Sequence, residues 1–376
     1  MTRPAAKGWC PGAYRPMMSG DGLVVRIRPA MSRLSRAQVL GLCDLAQHFG
    51  SGVLDLTSRA NLQIRGVSEE DHEALLAELK ALGLLPDDPD LEARRNILMP
   101  HDWAEDDDSH RICSDLLTRL ADLPDLPAKF GIAIDAGPAP VLQSASADLR
   151  IERAEAGLIL RADGSALGKP TTVDAAVSDM LALAQWFSDT AQGGTRRMKT
   201  LLAQTALPDH FAQQPALAAR ARPNAGPAQT AIIYGAPYGQ IQAQALADLI
   251  ERTGARALRT TPWRLFLLED AAPCTTQDFI DQADDPRLTI DACPGAPMCT
   301  SASVQTRDLA HQLAGISPKR LHISGCAKGC ARARPAPLTL IGRDGTFDLV
   351  KDGHAWDVPV HTGLTPDDIK TRIGEF

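Results

Sequence analysis

The sequence predicts an α+β protein built on a duplicated scaffold with two further α/β lobes. Three observations predict it. Two stretches about 204 residues apart read alike, strands and helices alternate between them, and four of the eight cysteines fall within 38 residues near the C-terminal end. A length of 376 residues allows two to four compact units at roughly 100–200 residues each. Hydrophobic residues at 44% and charged residues at 23% are ordinary for a globular chain. A net charge of −7 argues against a general nucleic-acid surface, and 4% aromatics leave few platforms for stacking bases. No secretory signal is evident and no apolar run reaches ~18 residues. The chain is therefore read as cytoplasmic, with no membrane or nucleic-acid partner. Thiols kept reduced and clustered suggest metal rather than disulfides.

The first unit, 1–85, opens with the alternating strand GLVVRIRP (Gly22–Pro29). The copy from Met31 to Val67 follows. In it Val39, Leu42, Cys43, Ala46 and Phe49 keep helical spacing, Gly50 offers a left-handed stop, and Thr57-Ser58 breaks two extended segments. PDDPDLEAR (Pro86–Arg94) is a joint, and the lobe 86–206 alternates strands and helices through FGIAIDAG, LGKPTTV and DAAVSDMLALAQWFSDTA. The third unit, 207–285, begins with the Ala/Pro-rich connection Leu207–Gln229 and the β-branched run TAIIYGAP (Thr230–Pro237). The second copy runs from Tyr238 to Asp270. Its helix carries Ile241, Ala245, Leu246, Leu249 and Ile250, stops at Gly254, and leads to a break at Thr261-Pro262. Placing Gly50 on Gly254 also superposes Leu42 on Leu246, Leu54 on Leu258 and Thr57 on Thr261. Two unrelated helix–strand units are the plain alternative, but cap, break and strand order coincide, which favours a repeat. The fourth unit, 286–376, holds the cysteines.

The motif CPGAPMC (Cys293–Cys299) with GCAKGC (Gly325–Cys330) has the spacing C-x5-C, a gap of 26 residues, then C-x3-C. Four thiolates suffice for an iron–sulfur cube or a zinc ion. Zinc knuckles favour shorter spacings with tight turns. Here Pro294, Gly295, Ala296 and Pro297 make a rigid loop suited to a larger object, and Gly325 and Gly329 allow close backbone approach. The pattern favours [4Fe-4S], with zinc and buried free thiols as alternatives.

This cysteine pattern, with SGCAKGCARA, resembles the nitrite and sulfite reductases that couple sirohaem to a [4Fe-4S] cluster. LTSRANLQIRGV (Leu56–Val67) is similar to that family's T-x-R-x-x-x-Q segment, and ARRNILMP (Ala93–Pro100) to its N-R-N segment, with Arg94 for the first Asn. The resemblance implies duplicated ferredoxin-like halves plus two α/β sirohaem-reductase-type lobes. It also implies that Cys293, Cys299, Cys326 and Cys330 hold the cluster, with Cys330 in the position that bridges to sirohaem iron. One departure narrows the choice: LPAKFGIAID (Leu126–Asp135) keeps Lys129 but has Gly131 where a second lysine would stand. That segment and the opening WCPGAYRPMMSGDGLVVRIRP (Trp9–Pro29) resemble the precorrin-3B synthases, cobalamin-pathway members of the superfamily. These imply O2-dependent hydroxylation of precorrin-3A with closure of a lactone.

A substrate of that class is a tetrapyrrole fringed with carboxylates, which arginines bind in planar, two-point fashion. Arg26 and Arg28 lie two apart on one strand, and Arg59, Asn61, Gln63 and Arg65 share a face if their segment stays extended. Arg95 and Lys129 join them by resemblance. The expected site cations are Arg28, Arg59, Arg95 and Lys129, the alternative being solvated strand faces; Arg26 and Arg65 are evenly balanced. Arg264 reads as strand packing, and Arg196, Arg197 and Lys199 as a basic helix end. Cys10, in a CPG turn, is at best a substrate-loop residue, and Cys43 is core.

The resemblance also implies a non-haem iron, but no facial triad is evident among the nine histidines, and His322 reads as structural. Neither G-x-G-x-x-G after a strand nor a P-loop occurs. Electrons are therefore expected from an external reductase or ferredoxin. The runner-up reading is a short sirohaem-dependent nitrite or sulfite reductase. A third is an iron–sulfur electron carrier or tetrapyrrole-binding protein.

Overall fold

The computed structural model describes residues 11–191, 194–229 and 231–376. Among them the strands form four sheets. Trp9 and Cys10 lie outside the described residues, as does Thr230.

The first half comprises β1 (Met17–Ser19), β2 (Gly22–Ile27), β3 (Arg33–Ser35), α1 (Arg36–His48), β4 (Val53–Leu56), β5 (Leu62–Val67) and α2 (His72–Ala81). Helix α1 starts where Ser35 and Gln38 form a reciprocal capping box. The β4–β5 turn is built by Thr57, whose hydroxyl accepts the amides of Arg59 and Asn61. Ala60 sits there at φ 55°. The segment from Arg59 to Arg65 therefore does not stay extended: Arg59 bonds Ser146, whereas Arg65 bonds Asp21, Asp55 and Met298. Gly50 is not a left-handed cap either. It is glycine because a Cβ would stand 2.5 Å from the Arg65 carbonyl oxygen. The left-handed residue comes two positions later, at Gly52 (φ 74°).

A second lobe carries α3 (Pro89–Arg94), β6 (Ile97–Leu98), α4 (Asp108–Thr118), β7 (Ile132–Asp135), β8 (Leu149–Ala154), β9 (Gly157–Ala162), β10 (Leu167–Thr171), α5 (Ala176–Thr190) and α6 (Met198–Leu202). With β11 (Gln214–Pro215) its strands form a sheet ordered β11-β10-β9-β8-β7-β6. The second half follows: β12 (Gly226–Ala228), β13 (Ala231–Gly235), β14 (Gln240–Gln242), α7 (Ala243–Thr253), β15 (Ala257–Thr260) and β16 (Leu265–Glu269). Here Gly254 does close its helix in the left-handed conformation (φ 66°). Thr261 repeats the role of Thr57, accepting the Trp263 amide, and Arg264 (φ 61°) repeats Ala60.

The two halves exchange strands. β3 pairs with β15 (Leu34 opposite Leu258), and β14 pairs with β4 (Ile241 opposite Leu54). The sheet orders are thus β1-β2-β5-β4-β14 and β12-β13-β16-β15-β3. Leu34, Leu42, Leu54, Ile241, Leu246 and Leu258 are buried in one common core, which also takes in Cys43. The exchange follows from residue chemistry: each three-residue strand inserts one apolar side chain between the halves.

The last lobe holds β17 (Ile290–Ala292), α8 (Arg307–Leu313), β18 (Leu321–Ser324), β19 (Ala336–Arg343), β20 (Thr346–Gly353), β21 (His361–Leu364) and α9 (Pro366–Arg372), its sheet running in order from β17 to β21. β17, β18 and β19 are parallel. Their carboxyl ends, where open α/β sheets place ligands, carry both cysteine loops. No helix among the described residues is long and apolar enough to cross a membrane.

Candidate active site

Cys293 directly follows β17, and Cys326 lies two residues beyond β18, the neighbouring parallel strand. Their loops interlock. The Cys293 sulfur accepts the Gly325 amide at 3.2 Å, Ser303 N–H donates to the Gly325 carbonyl, and Lys328 donates to Ser301 at 2.7 Å. A Cβ on Gly325 would stand 2.5 Å from that of Ala302. Only glycine lets the loops close so far. The four thiols influence one another: desolvation raises Cys326 and pushes Cys330 up to about 11, and the neighbouring Cys293 and Cys299 push both the same way. Such thiols give up protons readily only to a strong local cation.

Among the described residues no three His, Cys, Asp or Glu side chains stand close enough to grip one metal ion. Thiolates sharing a zinc at ~2.3 Å would lie only roughly 4 Å apart. The donor set suits a cube better: four thiols, an amide aimed at one sulfur, and a cradle too tight for a Cβ.

Cys330 opens into a cavity of about 520 Å³. Ser58 of the β4–β5 turn, Ser144 and Ser146 beyond β7, and Trp263 of the β15–β16 turn contribute to its walls. The rest is markedly cationic. Arg222, Arg264, Arg287, Arg320, Arg332 and Arg334 all line it, with Asp291 as an internal counter-charge. Asp291 takes Arg264 and Arg332 at 3.0 Å each and Arg320 at 3.5 Å. Burial lowers the Arg222 pKa, and the nearby cations Arg334, Arg320 and Arg332 lower it further. A cavity whose arginines crowd each other in this way favours a polyanionic occupant.

None of the four cations expected from the sequence lines this cavity. Arg28 is buried against Glu92 in an ion pair. Arg95 is half-buried beside that pair, its pKa lowered by burial, with Glu92 opposing and Arg28 adding to the shift. Arg59 donates to Ser146 at 3.2 Å and so touches the wall through it; Arg197 meets the same hydroxyl at 3.4 Å while pairing with Asp148. Lys129 is half-buried and outside the lining. Arg26 is half-buried, Arg196 and Lys199 are exposed, and Arg65 is buried between Asp21 and Asp55. Arg264, read as strand packing, lines the cavity instead, because its positive-φ turn throws it toward β17. His322 is fully buried on β18 beside Asp291, and burial brings its pKa down to about 4.

Sequence reasoning missed most of the arginine lining. Arg332 and Arg334 stand in ARAR immediately after Cys330, a signal available in the motif itself; Arg222 was hidden in an Ala/Pro-rich connection.

Residues 15–82 match the nitrite/sulfite reductase ferredoxin-like half domain. The chain is 30% identical to a precorrin-3B synthase from Sinorhizobium sp., over 94% of this chain and 84% of that protein. It is also 30% identical to a ferredoxin–nitrite reductase from Synechococcus elongatus, but over only 34% of this chain and 27% of the relative. The solved structure of the Mycobacterium tuberculosis NirA protein is similar in fold, with a TM-score of 0.65 at 18% identity, covering 93% of this chain and 79% of that one.

Proposed function

This chain belongs to the precorrin-3B synthase family, within the nitrite/sulfite reductase superfamily, and from that premise we propose that it hydroxylates precorrin-3A with O2 and closes a lactone, giving precorrin-3B for aerobic cobalamin biosynthesis. One oxygen atom enters the ring and the other leaves as water, using two electrons from an external reductase or ferredoxin.

The observation that carries this reading is the arginine-lined cavity opening on Cys330. Its guanidinium groups match a ring recognised by its carboxylate rim. Trp263 offers a flat apolar contact, and the serines at positions 58, 144 and 146 supply hydroxyls along one wall. Cys293, Cys299, Cys326 and Cys330 would hold the [4Fe-4S] cluster; bound there, it would supply single electrons beside the ring. Arg59 would act at the cavity edge through Ser146; Arg28 is neutralised by Glu92, and Arg95 and Lys129 lie outside the lining. For a separate non-haem iron, the described residues gather no group of three ligands.

Gly131 favours this reading over sirohaem reduction of a small anion. A side chain there would meet Asn96 Nδ2 at 3.0 Å and the Ser146 carbonyl oxygen at 3.3 Å. A lysine at that position would require Asn96 or the Ser146 carbonyl to give by a few tenths of an ångström.

Anaerobic incubation with precorrin-3A, followed by isotopically labelled O2, tests the reaction. We expect a product carrying one labelled oxygen atom. Intense sirohaem bands in the purified protein, with no labelled product, would instead mark a reductase.

A further inference from the structure

The cysteine loop is braced from outside its own lobe by a charged network that the proposed reaction does not use. Met298, which precedes Cys299, presents its carbonyl to three donors: Ser19 Oγ at 2.6 Å, Arg65 Nη2 at 2.9 Å and Gly20 N at 3.1 Å. Gly20 sits so tightly on the loop that a Cβ would fall 2.0 Å from the Pro297 carbonyl oxygen. Arg65 is held from behind by Asp21, in two-point contact at 2.8 and 2.7 Å, and by Asp55 at 3.2 Å. The other Asp55 oxygen takes Arg307 at 2.6 Å. Arg307 opens α8 directly after Thr306, whose hydroxyl donates to the Cys293 carbonyl at 2.5 Å. One Asp55–Arg65 pair on β4 and β5 therefore reaches both ends of the loop, Cys293 through Arg307 and Thr306, and Cys299 through Met298.

We propose that Arg65 is a positioning residue for the iron–sulfur cluster, fixing the Met298 carbonyl beside Cys299 and lending the cluster a buried positive neighbour. This rests on the cluster reading above. An ordinary inter-lobe ion pair would stabilise packing without touching the cluster. Arg65 differs because its guanidinium bonds the ligand loop itself, and a charge-assisted bond to a carbonyl is strong and directional. Reduction adds negative charge to the cluster, so a nearby cation favours the reduced form. Arg65→Gln removes that cation, leaves Asp21 without its two-point partner and leaves Asp55 with Arg307 alone. Both changes make reduction harder.

The test uses the full chain reconstituted anaerobically with iron and sulfide. Iron per chain, the midpoint from an EPR-monitored redox titration, and the rate of iron release to a chelator are measured. Arg65→Gln should make cluster reduction at least tenfold less favourable, a midpoint shift of 59 mV or more to the negative for one electron, and speed iron release at least tenfold. Arg65→Lys should return the midpoint toward wild type while release stays fast, because charge is restored without the planar grip. If Arg65→Gln does not fold, Asp21→Asn and Ser19→Ala, which loosen the same brace, should each speed iron release several-fold. Wild-type midpoint and release in Arg65→Gln overturn the inference, as does wild-type release in both substitutes. A wild-type chain that binds no iron overturns the cluster reading together with it; an iron-loaded wild type with unmoved variants overturns this inference alone.

Discussion

Glu269, at the end of β16, receives Arg33 from the exchanged strand through two bonds of 2.8 Å and Arg259 through one of 2.6 Å. Burial alone would raise its pKa, but the bonds from Arg33 and Arg259 outweigh it and hold the carboxyl at about 2. A depressed carboxyl stabilises the fold fully above its unfolded value near 4.5, and this contribution is lost as pH falls toward 2. Glu269→Gln should cost about 3 kcal/mol at neutral pH by taking the shared carboxylate from the half-buried Arg33 and Arg259, and should flatten the acid limb of stability in that window. Denaturant unfolding across pH reads both. Asp135 has the opposite sign. Burial raises it to about 6 against the amides of Leu142 and Val141, with Glu152 adding to the rise. A raised carboxyl contributes stability that is present below its unfolded value near 3.8 and lost as pH rises through 6. Asp135→Asn should abolish this decline, on the order of 3 kcal/mol. A pH profile unchanged by the substitution would remove Asp135 as its source.

The duplicated helix–strand–turn–strand unit was legible at the level of elements because its signals are local: apolar spacing, Gly254, and the threonine turns at Thr57 and Thr261. The exchange of β3 and β14 was not. Each is three residues long, and which distant strand it pairs with is decided by tertiary packing of Leu34 and Ile241. The same limit explains the site. The four cysteines announced themselves by spacing, whereas Arg28 looked available until the fold brought Glu92, 64 residues away, against it. Strand exchange has a measurable consequence. Since each half lacks a strand without the other, the halves should unfold together. Leu34→Ala and Ile241→Ala should each cost about 3 kcal/mol and shift a single transition seen alike by far-UV circular dichroism and by tryptophan fluorescence. Separate transitions in either variant would show that the halves are independent.

Across the whole molecule, the cavity is shared property. Ser58 comes from the first half, Ser146 from the second lobe, Trp263 and Arg264 from the second half, and Arg320, Cys330, Arg332 and Arg334 from the last lobe. A ligand that touches all of these ties them together and adds its binding free energy to the fold. At a concentration one hundred times its Kd, precorrin-3A held anaerobically should stabilise the chain by about 2.7 kcal/mol, visible as a raised melting temperature. The attraction is between guanidinium and carboxylate, so binding should weaken as salt rises. Methyl esters of the same ring should bind poorly, since they retain the apolar outline but lose the anionic rim. Arg222→Ala and Arg334→Ala, at cavity positions exposed to solvent, should each weaken binding about tenfold, the ~1.4 kcal/mol expected of one charge-assisted contact. Equal binding of acid and ester would show that ring shape, rather than the carboxylate rim, is what the cavity reads.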